Sequence, residues 1–477
     1  MKKILFALLI LFGLFFSQRS SAQHQHDMGN MPMKTDTVKK KSVQKPKKKT
    51  TTIKKVAAKT NVQHNMNDTM KHDMEIDHMT MSSSFSKNLP MNRNGSGTSW
   101  LPDASPVYGH MIMNEKSMFM LHGNIFLRYT NQDIFNKGSR GGSGFNAPNW
   151  FMGMYQKEAG EKGLFVARAM VSFDPLTVGT HGYPLLFQSG ETFNGERLID
   201  HQHPHDLIDE LSVGYTYELS KDADLFGYAA YPGEPALGPT AFMHRPSAMN
   251  NPDAPLGHHW QDATHISFGV GTLGFRYKNL KIDGSVFNGR EPDEFRYSFD
   301  KPSFNSFSYR ISLNPSSNWA LQFSQGFIES PEFLEQDVDV TRTTASALYS
   351  RKIKEGNQYD ASFVWGYNHK TDGHDEHSVL LEDNHTMGKN NLYSRYEFVQ
   401  KSSEELRLDT LGDVAFNIHA FTVGYNRIIF GAQYFEGIGG FQGTIYFPPN
   451  GLHTIYGKTP LALEVYLQIR PKLHKMR

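Results

Sequence analysis

The chain repeats short segments in which apolar and polar side chains alternate, and this pattern constrains the fold more than any other feature. It is clearest near the end, where one face of the segment carries only Leu461, Leu463, Val465, Leu467 and Ile469. The opposite face carries Ala462, Glu464, Tyr466, Gln468 and Arg470. A period of two is that of a β-strand with an apolar environment on one side only. The pattern therefore predicts strands that are apolar on one face and polar on the other.

The same pattern begins near the start of the aromatic-rich part of the chain. There Leu121, Ile125, Leu127 and Tyr129 oppose His122, Asn124, Arg128 and Thr130. Four further segments show it, at 164–173, 280–289, 317–327 and 358–368. Arginine recurs on the polar face of such segments, at Arg128, Arg168, Arg276, Arg310, Arg395 and Arg470. We expect these residues to line a polar interior, either as the charged wall of a pore or in ion pairs that fill it.

The connections between segments alternate in length. Short polar turns occur at 160–163, 220–222, 278–279, 315–317 and 354–357. Long polar connections occur at 131–146, 174–206, 232–261, 291–303, 327–340 and 369–388. Short turns at one end and long loops at the other are typical of outer-membrane barrels, and closure leaves no unpaired strand edge in lipid. The sequence predicts an all-β transmembrane antiparallel barrel over 100–477 with about 16 strands (alternatives 14 and 18), a water-filled lumen and no plug domain ahead of it.

Residues 1–22 have the three parts of a secretory signal. Lys2 and Lys3 precede an apolar run over 4–16, and Ser20-Ser21-Ala22 supplies small residues for cleavage. This predicts export and, with the barrel, a location in the outer membrane with its lipids as partners. The chain has no cysteine, so thiolate metal sites and disulfides are excluded.

Residues 23–99 are predicted to be a disordered periplasmic tail. They are rich in Lys, Thr, Ser, Asn and Met and have almost no aromatic residues with which to build a core. Residues 39–59 contain ten lysines and no acidic residue. That run suits anionic headgroups or serves as a solvated spacer. Nucleic acid is not expected as a partner, because stacking aromatic side chains are absent.

Two clusters of histidine and methionine in the tail are candidate metal ligands. They comprise His24, His26, Met28, Met31 and Met33, and then His64, Met66, Met70, His72, Met74, His78 and Met79. Imidazole with thioether suits Cu(I), and imidazole with carboxylate suits Cu(II) or Zn(II). The alternative is a biased tether that binds nothing.

These features resemble two known classes of protein. The signal, the strand rhythm and the closing strand are similar to Gram-negative outer-membrane barrels of the porin-like class, over about 100–477. The tail resembles the Met/His-rich tail of the copper-resistance protein B family, which also precedes an outer-membrane barrel. That second resemblance covers architecture and tail only, and it implies copper as ligand and periplasmic metal-efflux components as partners.

A third candidate site lies in the long connection at 174–206. His201, His203 and His205 alternate there, with Pro204 between them, so an extended chain would turn three imidazoles to one side. Asp200 and Asp206 flank them as further ligands or orienting groups. His258 and His259 close the next long connection in the same way, with His244 and His265 nearby. The alternative is a hydrogen-bonded loop that narrows the pore.

No nucleophile motif accompanies these histidines, so we expect no enzyme activity. The sequence predicts a porin-like barrel that takes part in copper or related metal-ion homeostasis, with the tail capturing the ion. The alternative is a general diffusion channel for small solutes with the tail as a tether. No further cofactor is predicted.

Overall fold

The computed structural model describes residues 82–474, which are mostly antiparallel strands. The strands in chain order are β1 (Ser82–Ser83), β2 (Ser86–Pro90), β3 (His110–Asn114), β4 (Ser117–Gln132), β5 (Gly142–Asn146), β6 (Asn149–Ala159), β7 (Gly163–Val171), β8 (Tyr183–Phe193), β9 (Glu196–Gln202), β10 (Ile208–Ser220), β11 (Ala223–Ala230), β12 (Val270–Tyr277), β13 (Leu280–Phe287), β14 (Ser306–Ser316), β15 (Trp319–Ile328), β16 (Val340–Lys354), β17 (Asn357–Lys370), β18 (Asp375–Met387), β19 (Asn390–Ser402), β20 (Ala415–Gly431), β21 (Phe435–Phe447) and β22 (Leu461–Pro471).

Helices are short and lie in the connections. The α-helical turns are α1 (Asp174–Thr177), α2 (His258–Gln261) and α3 (His453–Tyr456). The 3-10 turns are Met91–Arg93, Phe242–His244, Ala263–His265, Asp409–Leu411 and Asn450–Leu452. Within residues 82–474 there is no helix with the length and apolar character needed to cross a membrane.

The strands close into an antiparallel barrel of sixteen strands, as the sequence predicts. Closure is made by β22, which pairs with β4 from Leu463 opposite Asn131 to Ile469 opposite Ile125. The short strand β3 pairs with the first part of β4, on the same edge as β22, and β5 pairs with the last part of β4, on the same edge as β6. Neither short strand therefore adds a position to the barrel. Two small hairpins, β1–β2 and β8–β9, lie outside this barrel sheet.

The predicted alternation is present in the strands. On β22 the side chains of Leu463 and Val465 are 47% and 57% exposed on the outer face, whereas Glu464 and Gln468 are buried on the inner face. A closed barrel with an apolar exterior satisfies every backbone group within lipid. The chain is therefore an outer-membrane barrel, surrounded by membrane lipid.

Turns at one end of the barrel are short, and most connections at the other end are long. The short ones include 160–162, 221–222, 278–279, 317–318, 355–356 and 388–389. The longest ones span 172–207 and 231–269. One predicted long connection, 369–388, is instead a four-residue turn followed by β18, because its alternating polar residues pair with β17 and β19.

The structure does not change character at the boundary that the sequence places near residue 100. Residues 82–99 belong to the predicted disordered tail, yet Phe85, Leu89 and Met91 are buried. Arg93 donates hydrogen bonds to Asn279 in the short turn before β13, and the amide of Ala104 donates to the Ser317 carbonyl in the turn after β14. Residues 82–109 thus form a plug segment at the short-turn end. Its buried apolar residues are too few for its composition to distinguish it from a disordered segment.

Two long connections also fold inwards, so the lumen is not simply water-filled as predicted. In 231–269, Arg245 binds Glu382 of β18 at 2.8 Å and Asp253 binds Arg128 of β4 at 2.6 Å, which ties the segment to two separate parts of the wall. In 172–207, Phe187 stacks on Tyr456 with ring centroids 4.1 Å apart. The lumen-facing arginines are engaged in buried ion pairs. Arg128 and Arg310 pair with Asp253 and Glu234 of the inward connection 231–269. The others pair with carboxylates of neighbouring strands: Arg168 with Glu210, Arg276 with Asp224, Arg395 with Glu382 and Arg470 with Glu436.

Candidate metal centre

Three buried histidines from the two inward connections meet inside the barrel. His203 follows the end of β9, where the hairpin strand ends at Gln202 and the chain turns towards Pro204. His258 and His259 begin α2, which is one turn of α-helix within the connection 231–269. Their ligand atoms all lie within 4.8 Å of one another. Two nitrogens bound to one tetrahedral zinc ion are about 3.4 Å apart, so side-chain shifts of about an ångström would bring the set to ligating distance.

Each of the three imidazoles contacts its own carboxylate. His203 Nε2 lies 3.1 Å from Glu191 Oε1, His258 Nδ1 lies 2.6 Å from Asp262 Oδ1, and His259 Nδ1 lies 3.1 Å from Glu291 Oε1. In each of the three rings one nitrogen faces a carboxylate and the other is turned away from it. In metal sites such carboxylates fix the ring orientation and raise the basicity of the ligand.

The ring nitrogens that face away from these carboxylates include two that are buried and lack partners. Within the described chain, Nδ1 of His203 and Nε2 of His259 have no hydrogen-bond partner. A buried imidazole nitrogen without a partner costs about 1–3 kcal/mol. A metal ion is the ligand that would use both nitrogens at once.

Arginine side chains compensate for the negative charge around the centre. Arg296 contacts Glu191, and Arg245 binds Asp262 at 2.9 Å. Glu291 has no arginine partner closer than 4 Å within residues 82–474, and its Oε2 atom is buried without a hydrogen bond. Glu291 is therefore paired with His259 itself, and a metal ion bound to that ring would also face this carboxylate.

Burial and neighbouring charges set the protonation of the three rings. Burial, and then the charge of His259, lower the pKa of His203 well below its usual value. Burial lowers the pKa of His258, although the hydrogen bond to Asp262 opposes the shift. For His259 burial acts in the same direction, but Glu291 outweighs it and the pKa is raised. The lowered pKa values favour neutral rings with free lone pairs at His203 and His258, whereas at His259 a metal would compete with a more tightly held proton.

The structure separates the three histidines that the sequence placed on one side. His203 is in the centre, whereas His201 packs on His181 with ring centroids 4.1 Å apart. His205 binds Asp174 at 3.0 Å and lies next to His265, with ring centroids 5.7 Å apart. The expected alternation fails because β9 ends at Gln202, so only the first of the three residues lies in an extended strand.

The sequence indicates His258 and His259 only as a second histidine group, which closes another long connection. Nothing in their spacing indicates a contact with His203, because they come from a different connection more than fifty residues away in the chain. The signal that the two groups share in the sequence is that each lies within a few residues of an aspartate and near the end of a long connection. The His and Met residues predicted as ligands in the tail lie outside the described residues, and so does the signal segment.

The barrel is similar to solved outer-membrane porins of very different sequence. A structure of Salmonella typhi OmpF in complex with daunomycin is 9% identical, with a TM-score of 0.47 and coverage of 76% of this chain and 100% of that chain. An anion-selective porin from Comamonas acidovorans is 9% identical, with a TM-score of 0.45 and coverage of 75% and 99%. No protein-family model and no curated protein matches the chain. The likeness concerns the barrel fold alone.

Proposed function

We propose that this outer-membrane barrel binds metal ions in its lumen and passes them across the membrane, in copper or related metal-ion homeostasis. The observation that carries the proposal is the buried His203, His258 and His259 centre, with a carboxylate on each ring. Imidazole ligands suit Cu(II) and Zn(II) and exchange ions readily enough for transfer. In this proposal the tail collects ions in the periplasm, where efflux components would supply them, and no covalent reaction is catalysed.

The second candidate is a general diffusion channel for small solutes. It is supported by the closed sixteen-strand barrel, which is wide enough to hold a passage. The plug segment 82–109 and the inward connections 172–207 and 231–269 occupy that space and favour the first candidate. Under the diffusion proposal the tail is only a tether.

Metal binding by the refolded full-length protein separates the two candidates. We would titrate Zn(II), and Co(II) as a coloured probe, into the natural chain and into His203→Ala and His258→Ala. His201→Ala is the matched control, since His201 is in the same connection but outside the centre. Tail sites are equal in all four proteins, so loss of one site in the two variants alone supports the proposal. Unchanged stoichiometry in His203→Ala and His258→Ala would reject it.

Passage is then tested in liposomes that contain a Zn(II)-responsive dye. A metal-passing barrel should admit Zn(II) faster than neutral sugars, and His258→Ala should slow only the metal. Rapid entry of neutral sugars, with Zn(II) entry unaffected by His258→Ala, would support the diffusion channel instead.

A further inference from the structure

Six buried methionines form an apolar cluster that contains no other buried residue type. The members are Met91, Met118, Met120, Met152, Met154 and Met170. The other buried apolar clusters of residues 82–474 are built from Leu, Ile, Val, Ala, Phe, Tyr and Trp and contain no methionine. Methionine is a versatile filler of irregular cores, and a purely packing role would distribute it among all of them. Its confinement to one place suggests a role for the thioether.

The strand register brings these thioethers together on the lumen wall. Met120 of β4 is directly opposite Met154 of β6, and His122 is directly opposite Met152. Met152 is in turn opposite Met170 of β7. Directly opposed residues in antiparallel strands have Cβ atoms about 4.5–5.5 Å apart, so their side chains touch. Three neighbouring strands thus present sulfur and imidazole to one point of the lumen.

Met91, Met120, Met152 and Met154, together with His122, line a cavity of about 100 Å³, whereas Met118 and Met170 do not border it. A single water needs roughly 10–15 Å³ on the same measure, so the cavity has room for an ion and several waters. Met243 and Met249 of the inward connection 231–269 complete its wall. Nε2 of His122, which also lines it, is buried and has no hydrogen-bond partner in the described chain.

The lining of the cavity disfavours hard divalent cations. None of the described residues that line it is Asp or Glu, and the oxygen ligands that it offers are neutral, chiefly the amides of Asn92, Asn94 and Asn124. The two cationic residues in its wall are paired elsewhere, Arg168 with Glu210 at 3.2 Å and Arg470 with Glu436 at 2.9 Å. Beside these amides the wall presents several thioethers and imidazoles, which are soft and borderline ligands.

We infer that this methionine-lined cavity is a second metal site, which takes a soft monovalent cation such as Cu(I) or Ag(I) and is distinct from the three-histidine centre. A smaller cavity of about 50 Å³ connects the two regions. It shares Asn124, Trp150, Met243 and Met249 with the first cavity and also borders His203 and His205. The binding site stands on its own geometry, while its role as a step in passage rests on the proposed function.

Methionine methyl NMR with Ag(I) tests the inference on the full-length protein. The chain is labelled with ¹³C at the methionine methyl groups, and single Met120→Leu, Met152→Leu and Met154→Leu variants assign their signals. We expect those signals to shift as Ag(I) is added, and the affinity of this site to fall at least tenfold in Met120→Leu/Met154→Leu. Met387→Leu, at a half-exposed position in β18, is the matched control.

The outcomes separate this inference from the proposed function. His258→Ala should abolish the Zn(II) site and leave the Ag(I)-induced shifts of Met120 and Met154 in place. If those two signals stay fixed at saturating Ag(I) while other methionine signals move, the cluster is packing only and the inference fails, whatever happens with Zn(II). Because the shifts are read in the natural chain, a double variant that does not fold leaves the test intact.

Discussion

Asp262 Oδ1 lies 2.6 Å from His258 Nδ1, and Asp262 Oδ2 lies 2.9 Å from Arg245. One carboxylate thus contacts both a candidate metal ligand and the arginine that ties the connection 231–269 to β18. In Asp262→Asn the amide keeps the shape but loses the charge that raises the basicity of the ring. We expect the Zn(II) affinity to fall by about 10–100-fold, as for other orienting partners of ligands. Calorimetric titration measures it, and Asp372→Asn, which removes another histidine-paired aspartate, is the control. If Asp262→Asn and Asp372→Asn bind Zn(II) with the same affinity, the proposed three-histidine metal centre is wrong.

Gly190 provides the second test of the centre, because its missing side chain leaves room for a ligand. A Cβ added at Gly190 would lie 2.2 Å from Nε2 of His259. Gly190→Ala should therefore displace the imidazole and remove Zn(II) binding. Gly195→Ala is a matched control: both glycines have positive φ, and a Cβ at Gly195 meets nothing within 4 Å. The prediction fails if the two alanine variants bind Zn(II) alike.

The strands could be predicted from sequence to a greater extent than the interior. Alternation such as Leu463 next to Glu464 directly predicts which side chains face lipid and which face the lumen, because successive side chains of a strand point to opposite faces. The segments inside the lumen lack any period. Phe85, the one Phe, Tyr or Trp residue within 23–99, anchors the plug segment through packing on Phe226, with ring centroids 5.1 Å apart. One such contact is invisible in a composition that otherwise indicates disorder.

The two candidate sites differ in how far the sequence could reveal them. His203 meets His258 only because two long connections fold into the same lumen, and no local pattern encodes that meeting. The methionine cavity, in contrast, was visible in part, since Met118, Met120 and His122 alternate on one strand and Met152 and Met154 on the next. These methionines lie on the otherwise polar face of their strands. When methionine is counted only as an apolar residue, its potential as a ligand on that face is missed.

Arg245 should hold the segment 231–269 across the lumen. It is fully buried and pairs with both Asp262 and Glu382. Arg245→Ala removes one partner from each of two buried carboxylates, although Glu382 keeps Arg395 and Asp262 keeps His258, and we expect the free energy of unfolding to fall by about 3 kcal/mol. Single-channel conductance should rise as the segment loosens. The exposed Arg351→Ala should change neither urea unfolding nor conductance. A conductance equal to that of the natural chain would show that the segment is held elsewhere.

His374 gives a prediction for pH dependence at the long-loop end. Its imidazole lies 2.7 Å from Asp413 and 3.0 Å from Asp372, and these contacts raise its pKa to about 9. A raised pKa means that the charged ring stabilises the fold fully below pH 6.5, and that the effect is lost as pH rises through about 9. Histidine NMR should show the midpoint near 9, and Asp413→Asn should lower it. A midpoint near 6.5 in the natural chain would disprove the contacts in solution.

The tail ligands are best tested by substitution within the full chain. Deletion up to residue 87 would remove Phe85 and disturb the plug segment, so loss of copper could reflect a damaged barrel. Exchange of the tail histidines for Gln and the tail methionines for Leu avoids this. If the tail captures copper, the exchanged chain should lose most of its ability to compete with a chromophoric chelator for Cu(I), since soft ligands dominate that binding. The Zn(II) site at His203 should persist in the same protein. Undiminished Cu(I) competition would make the tail a tether and leave capture to the lumen.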